Sequence, residues 1–261
     1  MKLLNTFTQR YIDHVCKINP DHEVITGTKG PLKYVKIKNF LENPEDLKEF
    51  LAHFPAIDRF KSIEEDSKYS KIYAAGSKAP GIQQMIPQLY LMNLQEYLHV
   101  LLNKINYCRY PYDPSIWDFY TNYLDKDIKS FASNTVPHTD PFSIACNIYL
   151  TEVENTGTQF FKYNGINKEF YQNKYLQRDI LEFNKFKSLS LYSSREEISS
   201  LNKEDLTDWE VFNGDSIFEE YHYMPSEYNS VSIYKGCFWH AIKYDAKNST
   251  KERYSLVGAI K

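Results

Sequence analysis

Cysteine is scarce in this chain of 261 residues, and its four cysteines lie far apart. Cys16, Cys108, Cys146 and Cys237 form no Cys-x-x-Cys pair, which argues against a zinc knuckle and against a dithiol redox motif. We therefore expect buried free thiols and a reducing compartment.

Long apolar runs are also missing. No segment reaches the roughly 18 apolar residues that a membrane-spanning helix requires. The first residues, Met1 to Asn5, contain no apolar run of the length of a signal peptide. The sequence therefore predicts a cytoplasmic protein with no membrane partner.

Excess charge of either sign is absent, since the formal net charge is −3 and basic residues form no stripe. Nucleic acid is therefore not an expected partner. The chain also has no Gly-x-Ser-x-Gly elbow and no cysteine with a convincing histidine partner, which argues against a nucleophilic hydrolase.

Aromatic residues are abundant, with 22 tyrosines and 16 phenylalanines. Hydrophobic residues make up 42% of the chain and charged residues 25%, which is typical of a globular protein. Tyrosine has an apolar body and a polar tip, so this composition suits a sheet-rich core. The length fits a single β-rich domain.

The first 115 residues predict a supporting region of strand and helix. Residues 32–37 read as a strand. Asn43 is a good N-cap, and Pro44 suits the first position of a helix that runs to about His53. Residues 56–82 read as a loop, and a turn is expected at residues 27–30. Apolar residues at three- and four-residue spacing predict a second helix over 82–105, with Pro87 as its point of interruption.

Short strands dominate after residue 115. Within residues 142–150, Ile144, Cys146 and Ile148 share one face, and Asn147 and Tyr149 share the other. Further strands are expected at 116–123, 128–133, 159–163, 209–212, 216–221, 230–234, 239–244 and 253–260. This pattern predicts a mainly β fold with supporting helices, a jelly roll of residues 116–261 behind an N-terminal α/β support region. Residues 164–207 are polar and weakly periodic, and we expect them to form an insertion on one rim of the sheet, so that residues 1–261 make a single domain.

The most informative motif is His138-Thr139-Asp140. Side chains two residues apart on a strand point to the same face, so His138 and Asp140 offer an imidazole and a carboxylate to one point. His240, from a distant strand, would complete the two-His-one-carboxylate set that holds non-haem Fe(II). The simpler alternative is a histidine at a strand end that is hydrogen-bonded to a neighbouring carboxylate.

A second constellation lies on the last predicted strand. Arg253 and Ser255 share a face, and a guanidinium beside a hydroxyl suits bidentate capture of a carboxylate. Tyr149 could donate its hydroxyl to the same group. The alternatives are a surface salt bridge for Arg253 and ordinary packing for Tyr149.

These motifs together resemble the Fe(II)/2-oxoglutarate-dependent oxygenases, in particular the branch near the prolyl hydroxylases that includes a bacterial and phage group. The resemblance covers about residues 130–165 and 210–261. It is carried by His-x-Asp, the Tyr149-Leu150 pair, the Gly157-Thr158-Gln159-Phe160 turn, the strand and loop before His240, and Arg253 before an apolar strand.

The resemblance implies a double-stranded β-helix and a division of roles among these residues. His138, Asp140 and His240 would bind iron, and Arg253, Ser255 and Tyr149 would hold the distal carboxylate of 2-oxoglutarate. Asn147 would touch the same co-substrate. With O2, such an enzyme hydroxylates a small-molecule or peptidyl substrate and releases succinate and CO2, and the carboxylate of Asp140 favours hydroxylation over halogenation.

Two other functions stay open. The same scaffold could be an inactive binding module, or a cupin-like metalloenzyme that does not use 2-oxoglutarate. Arg253 and Ser255 discriminate the oxygenase from the cupin-like enzyme, which does not need this pair. The inactive module is disfavoured because a decayed site has no reason to keep His138, Asp140, His240 and Arg253 together. Residues 164–207 are a candidate lid, and Tyr234, Phe238 and Trp239 form either a substrate wall or part of the core.

Two features depart from the family pattern. The segment between His240 and Arg253 is a few residues longer than the usual hairpin, and a longer turn near residues 247–250 would absorb the difference. The rim insertion is also long, so substrate contacts cannot be transferred from known members.

Overall fold

The structure is a computed structural model, and it describes residues 7–54, 56–58, 82–109, 111–124, 139–140, 142–163, 218–243 and 253–260. These ranges contain three α-helices: α1 (Gln9–Val15), α2 (Pro44–Ala52) and α3 (Met92–Lys104). They also contain two short 3-10 turns, Gln88–Leu91 and Pro114–Ile116.

The strands form two antiparallel sheets. In chain order they are β1 (Glu23–Lys29), β2 (Leu32–Lys38), β3 (Ala56–Asp58), β4 (Ile82–Met85), β5 (Trp117–Leu124), β6 (Ile144–Tyr149), β7 (Gly157–Tyr163), β8 (Phe218–Pro225), β9 (Ser230–Tyr234), β10 (His240–Lys243) and β11 (Arg253–Ile260). The large sheet has the order β1-β2-β9-β6-β11-β5-β4-β3, and the small sheet has the order β10-β7-β8.

The order of the strands identifies the architecture. From β6 onward the chain passes from the large sheet to β7 and β8 in the small sheet, returns to β9, crosses to β10 and ends in β11. As a result β11 lies between β5 and β6, and β9 lies between β2 and β6. This winding of an antiparallel chain between two sheets is a jelly roll, which confirms the predicted fold class.

The middle of the large sheet is covered on both faces, as strand β6 shows. All six of its residues are buried. Cys146 and Ile148 belong to the main hydrophobic cluster, together with Leu94 and Leu98 of helix α3. Ala145 belongs to a second cluster between the sheets. The predicted division of this strand into two faces is therefore confirmed, and its even-numbered residues face the supporting helices.

Several predicted boundaries are confirmed. Strands β9 and β11 span the predicted residues, and helix α2 begins at Pro44 and is capped at His53. Asn43 occupies the N-cap position, but its side chain makes no capping bond and donates instead to the backbone carbonyl of His14. The predicted strands at 128–133 and 209–212 and the insertion at 164–207 lie outside the described residues.

The predicted helix over residues 82–105 is wrong in its first part. Residues Ile82–Met85 form strand β4, which pairs with β5 on one side and β3 on the other. Pro87 precedes a 3-10 turn, and the α-helix begins at Met92. The edge of the large sheet offers backbone hydrogen bonds to this segment, and such tertiary pairing overrides a helical pattern in the sequence. The loop predicted for 56–82 likewise contains β3.

The turn predicted for residues 27–30 is also shorter than expected. Strand β1 continues through Gly27 to Lys29, and the chain reverses at Gly30, whose φ angle is +55°. Glycine adopts this left-handed conformation without the steric cost that other residues incur.

The cysteines are free, as expected: Cys16, Cys108 and Cys146 are buried, and Cys237 is half-buried. Burial, with a smaller effect of Asp13, raises the pKa of Cys16 to about 12, so its thiol is protonated and unreactive. Among the helices of the described ranges, none combines the length and the apolar character of a membrane span.

Candidate active site

The side chains of Asp140 and His240 lie in contact. The Nε2 atom of His240 lies 3.2 Å from Oδ2 of Asp140. The His240 side chain is 5% exposed and that of Asp140 is 23% exposed, so the pair is shielded and still reachable from one side. Strand β10 begins at His240 and places its imidazole on the inner face of the small sheet, beside the Tyr234 ring.

The hydrogen bonds of His240 leave Nε2 facing the carboxylate. Nδ1 lies 2.8 Å from the backbone carbonyl oxygen of Phe238 and donates to it. A histidine that ligates a metal through one ring nitrogen commonly donates its other N–H in this way. Two ligand atoms, each about 2.1 Å from a metal at a right angle, are about 3.0 Å apart. The separation of Nε2 and Oδ2 therefore fits two ligands of one cation.

The third predicted ligand, His138, lies outside the described residues. Within the ranges that the structure describes, no group of three His, Cys, Asp or Glu side chains is arranged to hold a metal. The described part of the candidate centre thus consists of Asp140 and His240.

Asp140 is held by backbone as well as by side-chain contacts. Its N–H donates to the carbonyl oxygen of Gly236 over 2.8 Å, four residues before His240. Gly236 was not identified as a site residue from the sequence. The sequence signal that could have identified it is a glycine in a short loop just before a candidate ligand.

Tyr234 lies next to this pair. Its ring makes an edge contact with the His240 ring at 4.9 Å, and its hydroxyl accepts a hydrogen bond from Nδ2 of Asn147 over 3.3 Å. Burial, followed by the nearby Asp140 and Tyr149, raises the pKa of Tyr234 well above its usual value. The hydroxyl therefore remains protonated and can donate a hydrogen bond.

Arg253 lies at the start of β11 in the large sheet and is buried, with 3% of its surface exposed. Its Nη1 donates to Oγ of Ser255 over 3.3 Å, and its guanidinium carbon lies 5.4 Å from the centre of the Tyr149 ring. Among the described residues its Nε has no hydrogen-bond partner, and no carboxylate lies within ion-pair distance.

The register of the large sheet places Ser255, Tyr149 and Asn147, the other residues predicted to hold the co-substrate, on neighbouring strands. Ser255 on β11 pairs with Tyr149 on β6, and Asn147 pairs with Ser232 on β9. The hydroxyls of Tyr149 and Ser232 are buried without a hydrogen-bond partner in the described part of the chain. A buried polar group without a partner costs about 1–3 kcal/mol, so Arg253, Tyr149 and Ser232 are all suited to a polar ligand.

Ser232 was not identified from the sequence. It lies two residues from both Ser230 and Tyr234, and the alternation of polar and apolar residues on β9 was the available signal. Polar side chains on a fully buried strand must face a polar space, and here that space lies between the sheets.

His222 is a third residue that was not identified from the sequence. In the small sheet it pairs with Phe160, which pairs with His240, so these three residues form one row on the same face. The His222 ring stacks on Tyr34 at 5.0 Å, and its buried Nε2 has no hydrogen-bond partner among the described residues. His222 therefore lies in the same row of side chains as His240 on the small sheet.

The predicted aromatic cluster divides between two environments. Tyr234 and Phe238 belong to the cluster between the sheets, together with Phe160. Trp239 is buried, and its carbonyl oxygen accepts a hydrogen bond from the N–H of Phe161. Tyr234 therefore contacts the candidate site directly, whereas Trp239 contributes its backbone to the small sheet.

Comparison with known proteins finds no matching family model and no significant match among curated proteins. Solved structures do show similarity. The non-heme α-ketoglutarate-dependent epimerase SnoN from nogalamycin biosynthesis is 13% identical, with a TM-score of 0.42, over 87% of this chain and 78% of that chain. A prolyl-4-hydroxylase from Pseudomonas putida is 10% identical, with a TM-score of 0.37, over 82% and 95%.

HygX from Streptomyces hygroscopicus, solved with nickel and 2-oxoglutarate bound, is 11% identical with a TM-score of 0.38. The similarity spans 97% of this chain and 87% of that chain. All three TM-scores are below 0.5, so the jelly-roll assignment rests on the strand order and register of this chain itself.

Proposed function

We propose that this protein is an Fe(II)- and 2-oxoglutarate-dependent dioxygenase that hydroxylates a small-molecule or peptidyl substrate. The observation that carries the proposal is Arg253. Its buried guanidinium has no carboxylate within ion-pair distance among the described residues, and it lies against the Tyr149 ring. Burial, Asp140 and Tyr149 all raise the pKa of Tyr234, whose ring contacts His240. Arg253 therefore lies on the side of the site opened by these two tyrosines.

The proposed iron ligands are Asp140, His240 and, from the sequence motif, His138. When bound, the iron would supply the oxidative chemistry that couples conversion of 2-oxoglutarate and O2 to succinate and CO2 with hydroxylation of a substrate. The protein contributes the ligand set. The hydrogen bond from His240 Nδ1 to the Phe238 carbonyl supports the role of His240 as a ligand, because it leaves Nε2 available to bind the metal.

Arg253 is the proposed partner of the distal carboxylate of 2-oxoglutarate. A buried charge is unfavourable unless it is paired, and a guanidinium binds a carboxylate through two parallel hydrogen bonds. Ser255 and the unpartnered hydroxyl of Tyr149 lie beside it, and Asn147 lies two residues from Tyr149 on the same strand. We add Ser232 to this set, because it pairs with Asn147 across the sheet and its buried hydroxyl has no hydrogen-bond partner among the described residues.

This set of residues favours the oxygenase over the two alternatives. A cupin-like metalloenzyme that does not use 2-oxoglutarate needs the metal ligands but not a buried arginine. An inactive binding module has no reason to keep a buried guanidinium that lacks a carboxylate partner among the described residues together with the candidate metal ligands. The expectations of a cytoplasmic location and of no nucleic-acid partner belong to the same proposal.

Calorimetric titration with 2-oxoglutarate, in the presence of Mn(II) and without oxygen, tests the proposal. We expect saturable binding to the wild type and loss of binding in Arg253→Met. Arg10→Met removes an exposed arginine on helix α1 and is the matched control, which should bind normally. Metal binding without any 2-oxoglutarate binding would instead support the cupin-like alternative.

A further inference from the structure

The turn that precedes His240 contacts both described candidate ligands. It consists of residues 235–238 and is closed by the N–H of Phe238, which donates to the carbonyl oxygen of Lys235 over 3.3 Å. The carbonyl of Gly236 accepts the backbone N–H of Asp140 over 2.8 Å. The carbonyl of Phe238 accepts Nδ1–H of His240, also over 2.8 Å. One short turn therefore restrains the carboxylate residue and the imidazole at the same time.

Gly236 lies where this turn meets the Asp140 segment. A Cβ atom at position 236 would overlap the carbonyl oxygen of Phe142 and would lie 3.0 Å from Cβ of Asp140. Gly236 is not among the residues with positive φ, so the need for glycine here arises from close approach rather than from backbone conformation. The overlapping atom belongs to the backbone, which cannot rotate away as the end of a flexible side chain can.

We propose that Gly236 is a positioning residue of the metal centre: by allowing the turn to lie directly against Asp140, it sets the separation of Asp140 Oδ2 and His240 Nε2. This inference rests on the proposed function, because it assumes that the pair binds a metal. A side chain at position 236 pushes the Asp140 segment away from the turn. It thereby lengthens the 2.8 Å backbone bond and alters the 3.2 Å ligand separation.

The expected consequence is a selective loss of metal affinity. Metal ligands must be held within about 0.5 Å of their working geometry, and loss of a supporting contact in the outer shell typically weakens metal binding about 10- to 100-fold. Gly236→Ala should therefore weaken binding of Co(II), a spectroscopically visible substitute for Fe(II), by a factor in that range.

Gly258→Ala is the matched control. Its Cβ would also crowd a neighbour, at 2.7 Å from the Phe119 ring, but it lies on the face of the large sheet that packs against the supporting helices. We would measure Co(II) affinity by visible absorbance, and thermal unfolding with and without Co(II), for both variants. Gly258→Ala should lower the melting temperature of the metal-free protein and keep wild-type affinity. Gly236→Ala should lose affinity and most of the stabilisation by Co(II).

The outcomes separate this inference from the proposed function. If the wild type does not bind Co(II), the metal centre itself is wrong. If the wild type binds Co(II) and Gly236→Ala binds it equally well, the positioning role is overturned.

A measurement on the wild type does not depend on whether Gly236→Ala folds. The amide hydrogen of Asp140, bonded to Gly236, should exchange slowly with solvent, and more slowly still after Zn(II) binds. Fast exchange both with and without Zn(II) would overturn the inference.

Discussion

His240 Nε2 lies 3.2 Å from Asp140 Oδ2, while Nδ1 of the same ring bonds to the carbonyl of Phe238. The imidazole is thus oriented from behind and presents its remaining nitrogen to a carboxylate from a distant part of the chain. An ordinary strand-end histidine has no need for both contacts. In a histidine that binds a metal, the hydrogen bond from Nδ1 to the carbonyl fixes the tautomer. Nε2 and the neighbouring carboxylate can then bind the same ion.

Replacing the Asp140 carboxylate tests this relationship. Asp140→Ala removes a ligand atom and should weaken Co(II) binding by more than the roughly 10- to 100-fold that an outer-shell change costs. Absorbance titration would measure the affinity. Asp21→Asn, which alters an exposed carboxylate in the turn before β1, should bind Co(II) like the wild type. Equal affinity in Asp140→Ala and the wild type would remove Asp140 from the ligand set.

The stability of Arg253→Met distinguishes a ligand-binding arginine from a structural one. Because the guanidinium has no described carboxylate partner, replacing it by an apolar side chain should leave the free energy of unfolding unchanged or raise it by up to about 4 kcal/mol. Urea denaturation of the ligand-free protein would measure this change.

Lys36→Met provides the contrast, because the Lys36 ammonium is paired with Glu227 at 2.6 Å. Burial tends to raise the pKa of Glu227, but its contacts with Lys36 and Lys38 outweigh this effect and lower it. Lys36→Met should therefore destabilise the fold. Strong destabilisation by Arg253→Met would show that Arg253 has a structural partner.

Tyr149→Phe tests a single hydroxyl. The hydroxyl is buried without a described partner, so its removal should not destabilise the ligand-free protein. A hydrogen bond to a charged ligand contributes about 1.5–3 kcal/mol, which corresponds to roughly 10- to 100-fold weaker 2-oxoglutarate binding in the variant. Calorimetry would measure both affinities. Tyr254→Phe is the matched control, because that ring belongs to the cluster facing the helices. Unchanged affinity in Tyr149→Phe would exclude the hydroxyl from the co-substrate site.

His222 should make stability depend on pH. Burial, followed by the charge of Lys29, lowers its pKa below the usual value, and Glu220 opposes this shift. The unfolded chain therefore binds more protons than the folded protein between the folded pKa and about 6.5, and stability falls as pH decreases through that range.

His222→Phe keeps an aromatic ring against Tyr34 and removes the titration. The stability of the wild type relative to this variant should rise between pH 5 and pH 7 in urea denaturation. His53→Phe, at the exposed end of helix α2, controls for the loss of an imidazole. A difference between wild type and His222→Phe that is constant over this range would contradict the assignment.

Much of the fold could be predicted because the relevant signals are local. Strands β9 and β11 alternate residues between two faces, and both faces are covered, so their boundaries were predicted correctly. The two sides of β6 follow from the same alternation. Strand β4 could not be predicted, because its backbone is paired by β3 and β5, and that pairing leaves no periodic signal in the segment itself.

Some residues of the candidate site could be predicted from the sequence and others could not. Asp140, His240, Arg253 and Tyr149 have side chains whose chemistry is visible in the sequence. The roles of Ser232, His222 and Gly236 depend on register and on close approach between distant segments. Serine, histidine and glycine are common in loops and strands, so only the three-dimensional arrangement distinguishes these three from their neighbours.

The most direct test of the oxygenase assignment is an anaerobic titration of the purified protein with Fe(II) and then 2-oxoglutarate, followed by visible absorbance. The proposed function predicts a weak charge-transfer band in the wild type that is absent from His240→Ala. If no band forms in the wild type and calorimetry also detects no 2-oxoglutarate binding, the protein is not an Fe(II)/2-oxoglutarate-dependent oxygenase.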